Sequence, residues 1–147
     1  MNTLVRILGI VAGLLAAEAV WLVAEGALAI HLQAPAGTLA AEPVAIGPLS
    51  VALAAGLLPL IGWAALVGLE RLTPHARTIW LALALVGLDA SLGMPMSGSG
   101  VSEANRVVLV VMHLLVGAIV IAVLYRTSPR RATRSIAASA SAAGEAA

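Results

Sequence analysis

Five ionisable side chains interrupt stretches that are otherwise apolar: Glu18, Glu25, Asp89, Arg106 and His113. Carboxylates, a guanidinium and an imidazole in such surroundings have two uses. They can exchange protons or hold an ion or a cationic molecule, or they can satisfy one another and fix how the chain packs. Their spacing pairs them. Glu18 and Glu25 are seven residues apart, close to two helical turns, so both carboxyls share a helix face with Trp21 beside it, and Arg106 and His113 repeat that interval. Gly9, Gly13 and Ala17 fall on a different face of the first segment, at a small-xxx-small spacing that suits close helix contact.

A charge near the centre of a hydrocarbon layer costs at least about 2.5–3.5 kcal/mol, so each of these groups needs a partner or a purpose. Glu18 lies at the midpoint of its stretch. Asp89 comes about 16 Å after Thr78, and His113 about 10 Å beyond Arg106, at about 1.5 Å per helical residue. Glu25, Asp89, Arg106 and His113 thus share one depth with Glu18 just below. This predicts a polar cluster in which Arg106 pairs with Asp89 or Glu25 and His113 hydrogen-bonds an acid, holding helix order and register. In the alternative the same groups titrate, bind an ion or line a polar path, with Glu18 as the proton-exchanging group. Pro59, in the middle of the second stretch, lacks the N–H of a continuous helix and predicts a kink.

Other chemistries find no support. Cysteine is absent, which removes disulfides, thiolate metal sites and cysteine nucleophiles. Of the three histidines only His113 is embedded, since His31 ends the first stretch and His75 lies in a loop, so neither a haem nor a metal site is expected and no cofactor is implied. The serines cluster in Ser97-Gly98-Ser99 and near the C-terminus, where no Ser-His-acid constellation forms. Nothing supports an enzyme. The net charge of +1 and the lack of a basic stripe exclude nucleic acid as a partner.

The elements that must position these residues follow from composition. With 61% hydrophobic and 10% charged residues and a mean hydropathy of +1.06, the chain is too apolar for a water-soluble domain. Four stretches approach the roughly 20 residues that a spanning helix needs: Ile7 to Ile30, Pro48 to Leu69, Thr78 to Gly93, and Val107 to Tyr125. With their flanks these predict helices of about 4–30, 48–71, 74–93 and 103–127, the third being the shortest. Thr73 before Pro74 suits the start of the third, Ser102 precedes the fourth, and Thr127-Ser128-Pro129 closes it. Arg6, Arg71, Arg77, Arg126, Arg130, Arg131 and Arg134 all fall on one side of four spans and only Arg106 on the other, which puts both termini in the cytoplasm. The loop from His31 to Gly47 carries only Glu42, and the loop from Met94 to Val101 no charge, as outer connections should. Trp80 and Tyr125 suit interfacial anchoring and Trp63, deeper, suits packing. A competing reading treats Arg6, the apolar run and Ala17-Glu18-Ala19 as a signal peptide, but hydrophobicity continues through Ile30, too far for a removed segment. Residues 128–147 are poor in apolar side chains and are expected to form a disordered cytoplasmic tail.

Leu58-Pro59-Leu60-Ile61-Gly62-Trp63, Leu69-Glu70-Arg71, Ile79-Trp80, and Asn105-Arg106 leading to Met112-His113 resemble a family of small four-helix membrane proteins common in actinobacteria, which carries only a domain-of-unknown-function label. The resemblance covers roughly residues 4–125. It implies four spans and a bacterial plasma membrane and supplies no activity. Ala17-Glu18 and Glu25-Gly26 are also similar to pieces of the small multidrug resistance transporters, but the aromatic residues which that family sets around its substrate are missing and Asp89 has no counterpart there.

The sequence therefore predicts an all-α integral membrane protein, an antiparallel four-helix bundle over residues 1–127 in the plasma membrane. Its expected partners are the lipid bilayer and a second copy or another membrane protein. Two functions stay open: a structural or accessory protein held by a buried polar network, and a small proton-coupled transporter or ion- or ligand-binding protein using Glu18.

Overall fold

A computed structural model describes residues 2–37 and 41–129. The tail from residue 130 onward lies outside the described residues. Four α-helices account for most of the chain: α1, Asn2–Leu22, continued by a π-helical turn over Val23–Ala27; α2, Pro48–Leu72; α3, Ala76–Ser97; and α4, Glu103–Thr127. All four are long and apolar enough to cross a membrane. Between the π turn and α2, two short strands, β1 (Gln33–Ala34) and β2 (Val44–Ala45), pair antiparallel with Gln33 opposite Ala45.

The helices close a ring in which α1 packs on α2 and α4, and α3 packs on the same two. Residue numbers fall along α4 as they rise along α1. A Cβ added at Gly9 would meet Val123 and one at Gly13 would meet Val120, while Gln33 beyond the far end bonds Asn105. The small-residue face of α1 is thus its contact with α4. Gly9 has no Cβ to hold the two backbones apart, which lets Val123 fill the space.

Two apolar clusters fill the interior. One, toward the β-hairpin, gathers Ala17, Ala24, Leu32, Val51, Ala55 and Met112; the other, toward the chain termini, gathers Leu66, Trp80, Val120 and Leu124. Gly9, Gly13 and Ala17 of α1 are buried as well, while Leu15, Leu22, Leu53, Leu58 and Val86 turn outward. Pro59 is buried within an uninterrupted α2, where its ring nitrogen leaves the Ala55 carbonyl without its i+4 donor.

Several boundaries differ from the sequence reading, each for a local reason. The first helix ends at Ala27, because the π turn closes on itself through Leu28 N–H to Val23 O (3.0 Å) and Ala29 takes a left-handed φ of 52°. The chain then turns back and drops Leu32 into the bundle, 1% exposed. Thr73 ends α2 instead of opening α3: its N–H donates to Leu69 O and its hydroxyl accepts from His75 N–H, so α3 starts at Ala76. Ser102 caps α4 by accepting from Asn105 N–H at 3.2 Å.

Candidate functional site

Polar side chains concentrate at the two ends of the bundle. At the end that carries both chain termini, Arg6 is 6% exposed and ties three helices together. Its Nη2 and Nη1 donate to the Glu70 carboxylate on α2, at 2.6 and 3.3 Å, and its Nε and Nη2 donate to Thr127 on α4, at 3.0 Å to the hydroxyl and 3.1 Å to the carbonyl. Ser128 Oγ donates to Glu70 Oε1 at 3.0 Å, so this carboxylate serves two partners. A guanidinium fits here because its planar fork meets a carboxylate with two donors while a third reaches sideways. It also sits at the C-terminus of α4, where unpaired carbonyls favour a cation. Beside it the Arg77 guanidinium stacks on the Tyr125 ring, 3.7 Å from the centroid.

At the hairpin end, Asn105 is 2% exposed and reads both backbone groups of Gln33: Oδ1 accepts from its N–H at 2.8 Å and Nδ2 donates to its carbonyl at 2.9 Å. Ala36 and Ser99 exchange backbone hydrogen bonds, and Trp21 Nε1 donates to Ile46 O at 2.8 Å. The hairpin is thereby fastened to α1, to α4 and to the α3–α4 connection.

The five residues singled out by sequence take separate partners. Glu25 sits in the π turn, where its carboxylate accepts from Leu32 N–H at 2.7 Å and from His31 Nδ1 at 3.0 Å. Arg106 donates to the carbonyls of Pro95 (2.7 Å), Met96 (2.6 Å) and Gly98 (3.1 Å), with Glu103 at 3.8 Å. His113 Nδ1 donates to Leu109 O of its own helix at 2.7 Å. Asp89 is exposed on α3, and Glu18 has its Oε1 buried with no partner. No hydrogen bond or ion pair joins any two of the five among the described residues, so the expected pairing of Arg106 with Asp89 or Glu25, and of His113 with an acid, is corrected. Two physical causes account for it. The π turn at Val23–Ala27 winds more loosely than an α-helix, so the seven residues from Glu18 to Glu25 no longer make two full turns. The orphan carbonyls at the end of α3 lie within reach of Arg106 and need donors.

Two further side chains depart from expectation. Trp80 is 4% exposed and donates from Nε1 to Gly62 O at 2.8 Å, so it packs between α3 and α2 and is no lipid-facing anchor. The sequence reading uses Arg6 only as an end charge and Glu70 only within the Leu69-Glu70-Arg71 stretch; the signal that unites them is that each lies within about a turn of its helix end, on one side of the bundle.

Residues 1–130 match DUF6069, a family of unknown function. The chain belongs to that family. No curated protein and no solved structure matches it. For this DUF6069 chain, then, the geometry itself must say what the site can do.

The space inside it is apolar. An open groove of about 450 Å³ runs between α1 and α4, lined by residues such as Ala16, Ala19, Val23, Leu28, Val107 and Val111, and none of the five ionisable residues borders it. A cleft of about 70 Å³ beside Glu70, Thr73, Pro74, Ala76 and Pro129 has room for little more than water. Among the described residues no three histidine or acidic side chains group as metal ligands. The polar side chains described above bond to the chain itself, near the helix ends.

Proposed function

We propose that this chain is a multi-pass protein of the bacterial plasma membrane, an antiparallel four-helix bundle with both termini cytoplasmic, and that its role is structural or accessory. The observation that carries this reading is the large apolar side chains exposed along all four helices, among them Leu15, Leu22, Leu53, Leu58, Val86 and Val111. In water such a surface would aggregate; in hydrocarbon it costs nothing, and close contact of small residues becomes the main source of helix association. The polar clamps at the two ends support the same reading, because they lie where a bilayer gives way to headgroups and water. The lipid bilayer is the first partner, and a second copy or another membrane protein is the next.

Topology is directly testable because the chain has no cysteine. Single cysteines at Asn2 and in the 73–75 turn should react with a membrane-impermeant maleimide only after the cytoplasmic side is opened, and one at Glu42 should react in intact cells. The reverse pattern would overturn the orientation.

A second reading, a small proton-coupled carrier, is favoured by one observation: the buried, unpartnered Oε1 of Glu18. The two readings part at this residue. If the role is structural, Glu18→Leu yields a folded and more stable chain, since an unsatisfied buried atom is lost. If it is a carrier, wild-type chain in proteoliposomes dissipates an imposed pH gradient and folded Glu18→Gln does not. Wild-type chain that leaves the gradient intact removes the carrier reading.

A further inference from the structure

Asp89 is the one of the five that is exposed and, among the described residues, makes no hydrogen bond or ion pair. It lies eight residues before the end of α3, about 12 Å along the helix axis, well inside the hydrocarbon if α3 spans the membrane. Residues at helical spacing from it, Ala82, Leu85, Val86, Gly93 and Met96, are exposed as well. Only 11% of the apolar stretch of α3 is buried, against 28% for α1, so α3 has the least covered surface of the four helices. A carboxylate facing lipid at that depth is costly, and such residues nearly always face protein or water. Among the described residues no cation is paired with it. The Arg106 donors are spent on the carbonyls at the end of α3, while Arg71, Arg77 and Arg126 lie at the opposite end of the helices.

We propose that the Asp89 face of α3 is the interface with a second copy of this chain, in which the two Asp89 side chains meet at a twofold axis and hydrogen-bond each other. This rests on the membrane-spanning reading above. Two copies inserted in the same orientation are related by an axis along the membrane normal, which brings each residue near the axis against its own counterpart at its own depth. A carboxyl group can both donate and accept, so two of them in contact supply each other with a hydrogen-bond partner without a cation. The surrounding surface permits the approach: Ala82 is small, and a Cβ added at Gly93 would meet nothing within 4 Å. A helix of another protein carrying a cation at this depth would meet the same need, but the symmetric pair supplies it from residues already present.

The test uses the purified full-length chain in liposomes, with single cysteines introduced at Val86, at Gly93, or at Leu57 on the exposed face of α2. Mild oxidation should give disulfide dimers from Val86→Cys and Gly93→Cys and none from Leu57→Cys. Adding Asp89→Leu to Val86→Cys should weaken dimerisation about tenfold, as expected for loss of an interhelical hydrogen bond. Asp89→Asn should retain the dimer, since two amides can bond each other. A chain that is monomeric at every protein-to-lipid ratio, cross-links that map to α2, or an Asp89→Leu dimer as strong as wild type would overturn the inference. So would recovery of the dimer only with a cation-bearing partner helix. If Asp89→Leu fails to fold, the cysteine pattern with Asp89 intact decides alone. Release of the wild-type chain from membranes by alkaline carbonate would overturn the membrane reading and this inference together; a retained but monomeric chain overturns this inference only.

Discussion

Substituting Glu70 alone should harm this protein more than substituting Glu70 and Arg6 together. Arg6 makes four hydrogen bonds, two to Glu70 and two to Thr127, and its side chain is 7% exposed while that of Glu70 is 20% exposed. Glu70→Leu leaves the guanidinium its Thr127 contacts but strips the carboxylate that neutralises it. Breaking a fully buried pair in this way costs about 3–5 kcal/mol, and the partial exposure of Glu70 reduces the expectation to about 2–3 kcal/mol. Arg6→Met is expected to cost a similar amount, because Ser128 alone remains to serve the Glu70 carboxylate. Arg6→Met with Glu70→Leu leaves no orphaned charge and should cost no more than about 2 kcal/mol, giving a coupling of about 2 kcal/mol or more. The assay is reversible unfolding of each variant in mixed micelles with rising denaturing detergent, followed by helical circular dichroism. Single substitutions that add to the double within about 0.5 kcal/mol would refute the view that this clamp acts as one unit.

Three other perturbations follow from the same geometry. Gly9→Ala would set a methyl 2.5 Å from Val123 Cγ1 and 2.8 Å from its Cβ, so rotation of Val123 cannot clear it; a loss of about 1–3 kcal/mol is expected in the same unfolding assay. Gly62→Ala, which meets nothing within 4 Å, should be neutral or slightly stabilising there. Asn105→Ala strips both backbone groups of Gln33 and should cost about 2 kcal/mol, with the hairpin becoming the first site cut in limited proteolysis. Arg106→Lys replaces a fork on three carbonyls by a point charge, so the Gly98 and Ser99 amides should exchange hydrogen faster while the unfolding midpoint barely moves.

The failed part of the sequence reading is instructive because it was not random. Hydropathy and length place Asp89 and Arg106 on successive helices, α3 and α4. They do not say which way each side chain turns, since periodicity within one helix says nothing of its rotation relative to the next. Leu88, one residue from Asp89, is the residue that meets Gly117 of α4, and about 100° of helical rotation separates the two. Competition also mattered. The carbonyls of Pro95, Met96 and Gly98 are invisible as acceptors in a sequence, yet they outbid any acid for Arg106.

The chain by itself determines that four apolar helices exist and roughly where they begin and end, because length, hydropathy and the breaks at Pro48, Thr73 and Ser102 are local properties. Tertiary structure alone decides that Arg6 clasps Glu70 across 64 residues, that Asn105 holds Gln33 across 72, and that Asp89 is left facing outward. Those outcomes depend on how the helices rotate against one another. The contact of Gly9 and Gly13 with Val123 and Val120 of α4 sets that rotation for α1, and it is a packing event between segments distant in sequence.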